Sequence, residues 1–146
     1  MMELMEPSVL LVDDEAPFVE TMTKRLRKRK LNVLEALSGE EALNVLKKDD
    51  HVDVVILDVK MPGMDGIEAL KEIRRDFPLV EVIMLTGHAT VESSIEGMRL
   101  GAFDYLMKPC DMEVLMEKVN AAAKKKRDHE EKIRDARVNA ILKART

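Results

Sequence analysis

The chain has 146 residues, 46% of them hydrophobic and 36% charged, a composition that predicts one domain with a sizeable core and a well-solvated surface. Its single cysteine excludes an intramolecular disulfide, and its apolar runs fall short of the roughly 20 residues that cross a bilayer. Its first seven residues are acidic, unlike those of a signal peptide. We therefore expect a soluble cytoplasmic protein without a membrane partner. The net charge is −4, with −9 on the first 123 residues, and so acidic a body does not suit direct binding of nucleic acid.

Five short aliphatic segments alternate with five amphipathic segments along the chain. The aliphatic segments read as strands, and the third, with four consecutive aliphatic residues, is typical of a strand buried on both faces. Residues with turn chemistry, mainly Pro and Gly, separate the segments. The predicted strands cover residues 9–12, 32–37, 53–58, 80–85 and 103–107.

The amphipathic segments predict five helices with identifiable ends. Pro17 stands where the first helix begins, and Gly101 follows a fourth helix over about residues 91–100. Capping residues are predicted for the second, third and fifth helices, namely Ser38 with Glu41, Asp65 with Glu68, and Asp111. The predicted inward stripes are Phe18, Met22 and Leu26; Ala42, Leu43 and Leu46; Ile67, Leu70 and Ile73; and Val114, Leu115 and Val119.

Strict alternation of strand and helix predicts an α/β fold, with a doubly wound, five-stranded parallel sheet and helices on both faces. Ligands of such folds gather at the carboxyl ends of the strands. There the chain carries Asp13 and Asp14 after the first strand, Asp58 after the third, Thr86 after the fourth and Lys108 after the fifth. We therefore expect these side chains to share one rim.

Asp58, delivered by a buried strand to the start of a loop, is the residue that we interpret as functional. Three carboxylates on one rim would repel each other, and a cation with oxygen ligands, Mg²⁺ or Mn²⁺, would relieve that repulsion. The cation and Lys108 would also stabilise the charge of an arriving phosphoryl group, and Thr86 offers a hydroxyl. Together these residues predict an aspartate that accepts a phosphoryl group.

At these positions the chain resembles the CheY-like receiver domains of the two-component response regulator family. The likeness runs from about residue 8 to about residue 123, with four motifs in order, each at its own strand end. The motifs are Asp13-Asp14; Asp58 with Met61-Pro62-Gly63-Met64-Asp65-Gly66; Thr86-Gly87; and residues 101–109, GAFDYLMKP. The resemblance implies the flavodoxin-like strand order 2-1-3-4-5.

For the acidic rim, the resemblance implies a definite assignment of roles. Asp58 would be the phosphorylated residue and a metal ligand. Asp14 would bind the metal directly and Asp13 largely through water, while the backbone carbonyl of Lys60 would complete the protein ligands. Lys108 would bind the phosphoryl group, and its bond to Pro109 would be cis.

The resemblance also implies a switch and its rate control. Thr86 would move to the aspartyl phosphate, and Tyr105 would turn inward into the vacated space. The face made by the fourth helix, fifth strand and fifth helix would change as a result. Lys60 and His88 would tune how fast water removes the phosphoryl group. Two alternatives stay open, namely that Tyr105 is half-buried by packing alone and that His88 is an ordinary residue of a surface loop.

Three functions remain open at this stage. In the first, the chain is a signalling switch and not a stand-alone enzyme. A sensor histidine kinase or a phosphotransfer protein phosphorylates it, and the altered face then binds a downstream protein. The second is an aspartyl-nucleophile phosphatase, which needs Asp-x-Asp where this chain has Asp13-Asp14-Glu15. The third is a flavin-binding module, whose first loop would need phosphate donors in place of that acidic run.

The C-terminal segment differs from the rest in charge. We divide the chain into a receiver domain, residues 1–123, and a charged helical extension or linker, residues 124–146, which carries +5. Residues 101–109 are similar to receivers that precede σ54-dependent activator modules, so a receiver-plus-linker fragment of a larger regulator is an alternative. Ile133, Ala136 and Ala140 make a poor coiled coil, but a homodimer through this helix remains possible.

Overall fold

The computed structural model describes residues 6–145, in which five strands and five helices alternate. Met1 to Met5 of the predicted receiver domain, and Thr146 of the predicted extension, lie outside the described residues. The elements are β1 (Ser8–Val12), α1 (Ala16–Lys28), β2 (Asn32–Ala36), α2 (Gly39–Lys48), β3 (Val54–Leu57), α3 (Gly66–Asp76), β4 (Glu81–Thr86), α4 (Val91–Arg99), β5 (Asp104–Met107) and α5 (Met112–Ala144).

The five strands form one parallel sheet in the order β2-β1-β3-β4-β5, which confirms the predicted fold. The register pairs Val12 with Leu57 and Leu57 with Met84, so these three strands end close to the same level. All residues of β3 and β4 are buried, as expected for strands covered on both faces. The carboxyl ends of the strands therefore form one continuous rim.

Two aliphatic cores lie on opposite faces of the sheet. One core contains Leu43, Leu70 and Ile73, which α2 and α3 place against one face. The other contains Leu26 of α1 and Leu115 of α5, packed against the opposite face. Side chains that alternate along each strand supply both cores, because neighbouring residues of a strand point to opposite faces.

The capping residues predicted for the second, third and fifth helices agree with the structure. Side chains of Ser38, Asp65 and Asp111 cap α2, α3 and α5 by accepting backbone hydrogen bonds. Glu15 stands at the N-terminal cap of α1 without a side-chain bond to that helix. The inward placement of Val114 was wrong, since 41% of this residue is exposed. Buried Leu115 and Val119 are four residues apart and define the inner face, about 100° from Val114.

The last helix extends well beyond the part that packs against the sheet. α5 runs for 33 residues, and its buried residues end at Lys126, so residues 131–144 project into solvent. Several apolar side chains are exposed on the projecting segment, namely Ile133, Val138, Ile141 and Leu142. Between residues 6 and 145 no helix has the length and apolarity to cross a membrane.

Candidate functional site

The rim residues are held in place by backbone hydrogen bonds that continue the sheet past its strands. The backbone NH of Asp13 donates to Ala36 O (3.2 Å), and that of Asp58 donates to Val12 O (3.0 Å). The backbone NH of Lys108 donates to Thr86 O (2.9 Å). Each functional side chain therefore stands on a fixed backbone, because the ladder orients the residue that follows the strand.

Three carboxylates converge at this rim. Asp13, Asp14 and Asp58 each offer an oxygen, and these oxygens lie within 4.8 Å of one another. Asp13 and Asp58 are buried, with 1% and 2% exposed, whereas Asp14 is exposed. Asp13 Oδ1 also accepts the backbone NH of Glu15 at 2.9 Å, which fixes its orientation. The cluster thus has two buried members and one that faces solvent.

Asp58 is under electrostatic strain. Burial raises the pKa of Asp58 above 3.8, and the charge of Asp13 raises it further. A hydrogen bond with Thr86, the charge of Lys108 and the backbone NH of Val59 oppose that rise. The Val59 NH donates to Asp58 Oδ1 at 2.9 Å, which fixes the orientation of the carboxylate. More positive charge at the rim would therefore favour the ionised form.

Lys108 reaches across the rim from β5 to the loop after β1. Its Nζ lies 2.6 Å from Asp13 Oδ2, 3.4 Å from Glu15 Oε1 and 3.8 Å from the ring centroid of Phe18. Burial lowers the pKa of Lys108, but the bonds and charge of Asp13, with the charge of Asp58, outweigh burial and raise it above 10.5. Lys108 is therefore a permanent cation beside the carboxylates, and its bond to Pro109 is cis.

Thr86 joins this group, whereas Tyr105, predicted to act with Thr86 in the switch, and Lys60 and His88, predicted to tune its rate, are less buried. Thr86 is fully buried and its Oγ1 accepts the backbone NH of His88 at 3.0 Å. The side chains of His88 and Lys60 are exposed. Tyr105 is half-buried, and its hydroxyl hydrogen-bonds Ser93 Oγ of α4 at 2.5 Å. In this structure Tyr105 therefore belongs to the β5–α4 contact and not to the acidic rim.

Sequence reasoning missed several contributors to the site. Glu15 and Phe18 contact Lys108, and Ser93 binds Tyr105; only the position of Glu15 after two aspartates hinted at such a role. Gly66 ends the motif that follows Asp58, and its role depends on a contact that the sequence alone does not reveal. A Cβ on Gly66 would lie 1.9 Å from the carbonyl oxygen of Asp58, so glycine is the residue that permits this close approach.

The donor set fits a hard divalent cation. The converging side chains offer carboxylate oxygens only, which are the ligands that Mg²⁺ accepts, and Asp14 leaves the site open to water on its exposed side. A soft or borderline metal such as zinc would favour thiolate or imidazole ligands, which this cluster does not include. The arrangement can therefore balance its negative charge with a divalent cation.

Comparison with known proteins gives one family. The model of the response regulator receiver domain matches residues 9–120. The regulatory protein AtoC of Escherichia coli K12 is 40% identical over 107 residues, covering 73% of this chain and 23% of AtoC. The transcriptional regulatory protein ZraR of Salmonella typhimurium LT2 is 37% identical over 114 residues, covering 78% of this chain and 26% of ZraR.

Solved structures agree with the sequence relatives. A receiver domain protein from Clostridium thermocellum superposes with a TM-score of 0.79 at 35% identity, covering 83% of this chain and 97% of that one. The chain spans about a quarter of the length of the two curated relatives, and the match lies over the sheet and its helices.

Proposed function

The chain belongs to the response regulator receiver domain family, and from that premise we propose that it is a phosphoacceptor switch whose acceptor is Asp58. Receiver domains are signalling domains and not typical stand-alone enzymes. The observation that carries the proposal is the convergence of Asp58, the pair Asp13-Asp14 and Lys108 at one rim. A buried carboxylate beside other carboxylates and a permanent cation is suited to transfer of a charged group.

The proposed reaction uses the chain mainly for positioning and electrostatics. A carboxylate oxygen of Asp58 attacks phosphorus, the bond from phosphorus to the donor atom breaks, and the donor keeps that electron pair. Lys108 would contact the oxygens of the transferred group, and the Thr86 hydroxyl would turn to donate to one of them. The donor is a phosphohistidine of a sensor kinase or of a phosphotransfer protein.

We propose that Asp14 and Asp58 bind Mg²⁺ or Mn²⁺ directly, that the Lys60 carbonyl is the third direct protein ligand, and that Asp13 acts largely through water. When bound, the metal supplies positive charge that stabilises the phosphoryl oxygens. The raised pKa of Asp58 supports this assignment, because a cation at the rim would offset the burial and the repulsion from Asp13. The acceptor would then stay ionised and nucleophilic.

The proposed output is a change of the face formed by α4, β5 and α5. Thr86 would turn to the aspartyl phosphate, and Tyr105 would leave Ser93 for the space behind Thr86. The apolar side chains exposed on this face, Val91, Ile95, Met98 and Met107, support a protein partner there. Lys60 and His88 would set the lifetime of the phosphate; unchanged dephosphorylation in both Lys60→Ala and His88→Ala would refute that role.

We keep the division into a receiver domain, residues 1–123, and an extension, residues 124–146, as part of the proposal. Both curated relatives are regulatory proteins about four times as long as their match, which supports the receiver-plus-linker alternative. The exposed apolar residues of the projecting segment support pairing with a second copy. A monomeric sedimentation profile at high concentration, with and without phosphorylation, would count against pairing. We propose no direct contact with nucleic acid or membrane, and a cytoplasmic location.

Mass spectrometry after incubation with acetyl phosphate and Mg²⁺ tests the central proposal. We expect the parent to gain one phosphoryl group and Asp58→Asn to gain none. Asp65→Asn is the matched control, because Asp65 is an aspartate of the same loop whose carboxylate caps α3. Phosphorylation of Asp58→Asn, or none in the parent and the control, would refute the assignment.

A further inference from the structure

Three consecutive basic residues of α5 contact acidic residues at the amino ends of the strands, the end of the sheet opposite to the acidic rim. Lys126 Nζ lies 3.3 Å from Asp53 Oδ1, and Arg127 Nη2 lies 3.1 Å from Asp53 Oδ2. Lys125 Nζ lies 3.7 Å from Glu81 Oε1 and 5.8 Å from the ring centroid of Phe103. These contacts join the first turn of the proposed extension to the strands β3 and β4.

Asp53 is the centre of this arrangement. It precedes β3, and its backbone NH donates to Ser8 O at 2.8 Å while its Oδ2 accepts the backbone NH of Ser8 at 2.9 Å. Only 8% of its side chain is exposed, and 7% of that of Lys126. Lys126 also lies 3.3 Å from Glu130 Oε2, one helical turn further on. One buried carboxylate therefore links the start of β1, the start of β3 and α5.

Glu81 adds a second buried acid next to the first. It begins β4, is 1% exposed, and its backbone NH donates to Asp53 O at 3.2 Å. Within residues 6–145 its two carboxylate oxygens receive no hydrogen bond, so the charge of Lys125 is the compensation that the structure provides. Burying a carboxylate costs free energy unless a positive charge lies nearby, so the contact with Glu81 favours keeping Lys125 at the amino end of β4.

The three contacts constrain more than the position of α5. Successive residues of an α-helix are about 100° apart around the axis, so residues 125, 126 and 127 cover about 200°. Lys126 and Arg127 both contact Asp53 and Lys125 lies near Glu81, so side chains from different sides of the helix reach the same end of the sheet and oppose rotation of the helix about its axis. A single contact would leave that rotation possible.

We propose that Asp53 and Glu81 form an anchor that fixes the direction in which α5 leaves the body, so that residues 131–144 project along one defined line. The anchor lies at the amino ends of the strands, apart from the phosphoacceptor rim. Any module or second copy that binds the projecting segment would then be held in a fixed orientation to the receiver. Asp53 acts here as a positioning residue and takes no part in phosphoryl transfer.

Hydrogen exchange of the full chain tests the anchor. The variants are Asp53→Asn, which keeps an acceptor for Ser8 but loses the charge, and Lys126→Met, which keeps the aliphatic stem. Lys124→Met is the matched control, because Lys124 is on the same turn and pairs with Asp128 on the exposed side of α5. We expect amides of residues 122–130 to exchange about tenfold faster in both variants and within about twofold of the parent in the control.

A distance measurement reads the direction itself. Spin labels on Lys48→Cys and Ala140→Cys, in a Cys110→Ser background, should give a narrow distance distribution in the parent and in Lys124→Met. Asp53→Asn should broaden it, and all these variants should keep phosphorylation by acetyl phosphate. If Asp53→Asn does not fold, Lys126→Met supplies the same comparison.

Two results would overturn the anchor. Unchanged exchange and an unchanged distance distribution in Lys126→Met would show that helix packing alone directs α5. Equal acceleration of the β4 amides, residues 82–85, would show that the ion pairs stabilise the whole body and not the exit of the helix. Phosphorylation of Asp58→Asn, or none in the parent, would refute the phosphoacceptor proposal and leave the anchor intact, so the two proposals fail separately.

Discussion

Replacing Gly66 by alanine should disturb the loop that carries the acceptor. A Cβ at this position would lie 1.9 Å from the carbonyl oxygen of Asp58 and 2.8 Å from the Cα of Val59. Ordinary contacts of a Cβ are 3.4–4 Å, so the start of α3 or the end of β3 must move by more than an ångström. Both partners are backbone, so no side chain can turn away to relieve the clash.

The expected cost follows from that displacement. Overpacking a well-packed site costs about 1–3 kcal/mol, and the movement also weakens the bond from Gly66 NH to Val59 O, now 2.7 Å. With about 1 kcal/mol for that bond, we expect Gly66→Ala to lose roughly 3 kcal/mol of unfolding free energy. At about 2–4 °C per kcal/mol, the melting temperature falls by roughly 6–12 °C.

Urea unfolding followed by circular dichroism measures this cost. Gly97→Ala is the matched control, because its Cβ would meet Tyr105 Cδ2 at 3.5 Å, an ordinary contact. Alanine within α4 should raise stability by about 0.5–1 kcal/mol. If Gly66→Ala proved as stable as the parent and still accepted phosphate at the parental rate, the reasoning on the Asp58 loop would be refuted.

Three further predictions concern the rim and the switch. Burial raises the pKa of Asp58, so the stability that this carboxyl adds is present below pH 3.8 and lost as pH rises through its folded pKa. In metal-free buffer, Asp58→Asn should therefore be more stable than the parent at pH 7, and the difference should shrink as pH falls towards 4. A difference that stayed constant with pH would refute this prediction. Lys108→Met leaves buried Asp13 without its cation and should lose about 3 kcal/mol in urea unfolding, whereas Lys24→Met, which breaks an exposed pair, should change stability by under about 0.5 kcal/mol. Ser93→Ala removes the partner of the Tyr105 hydroxyl and also the side-chain bonds that Ser93 makes with Thr90 in the capping box of α4, so it should lose about 2 kcal/mol in the same assay, more than Ser94→Ala, whose hydroxyl donates to the Val91 carbonyl of its own helix.

The fold and the centre of the site were predictable for one physical reason. Parallel strands bring residues far apart in sequence to one rim, so Asp13 and Lys108 meet although 95 residues separate them. Local patterns located the strand ends within about a residue, since Asp58 follows β3 directly. The alternation of strand and helix then determined which ends lie together.

Other features depend on contacts that no local pattern records. The bond from Tyr105 to Ser93 joins β5 to α4, and its existence depends on the angle at which that helix packs. The pairing of Asp53 with Lys126 depends on how far α5 continues beyond the core. Val114 was misplaced because periodicity gives the inner face of a helix only to within about one residue.

The separation of the two cores by the sheet has a consequence for how such a chain tolerates change. Leu70 and Leu115 belong to different buried clusters of the described residues, on opposite faces of the sheet, so substitutions at the two sites should add independently. One layer of helices is therefore free to diversify while the other stays constant. A lineage can remodel what it meets on one flank without having to rebuild the opposite flank at the same time.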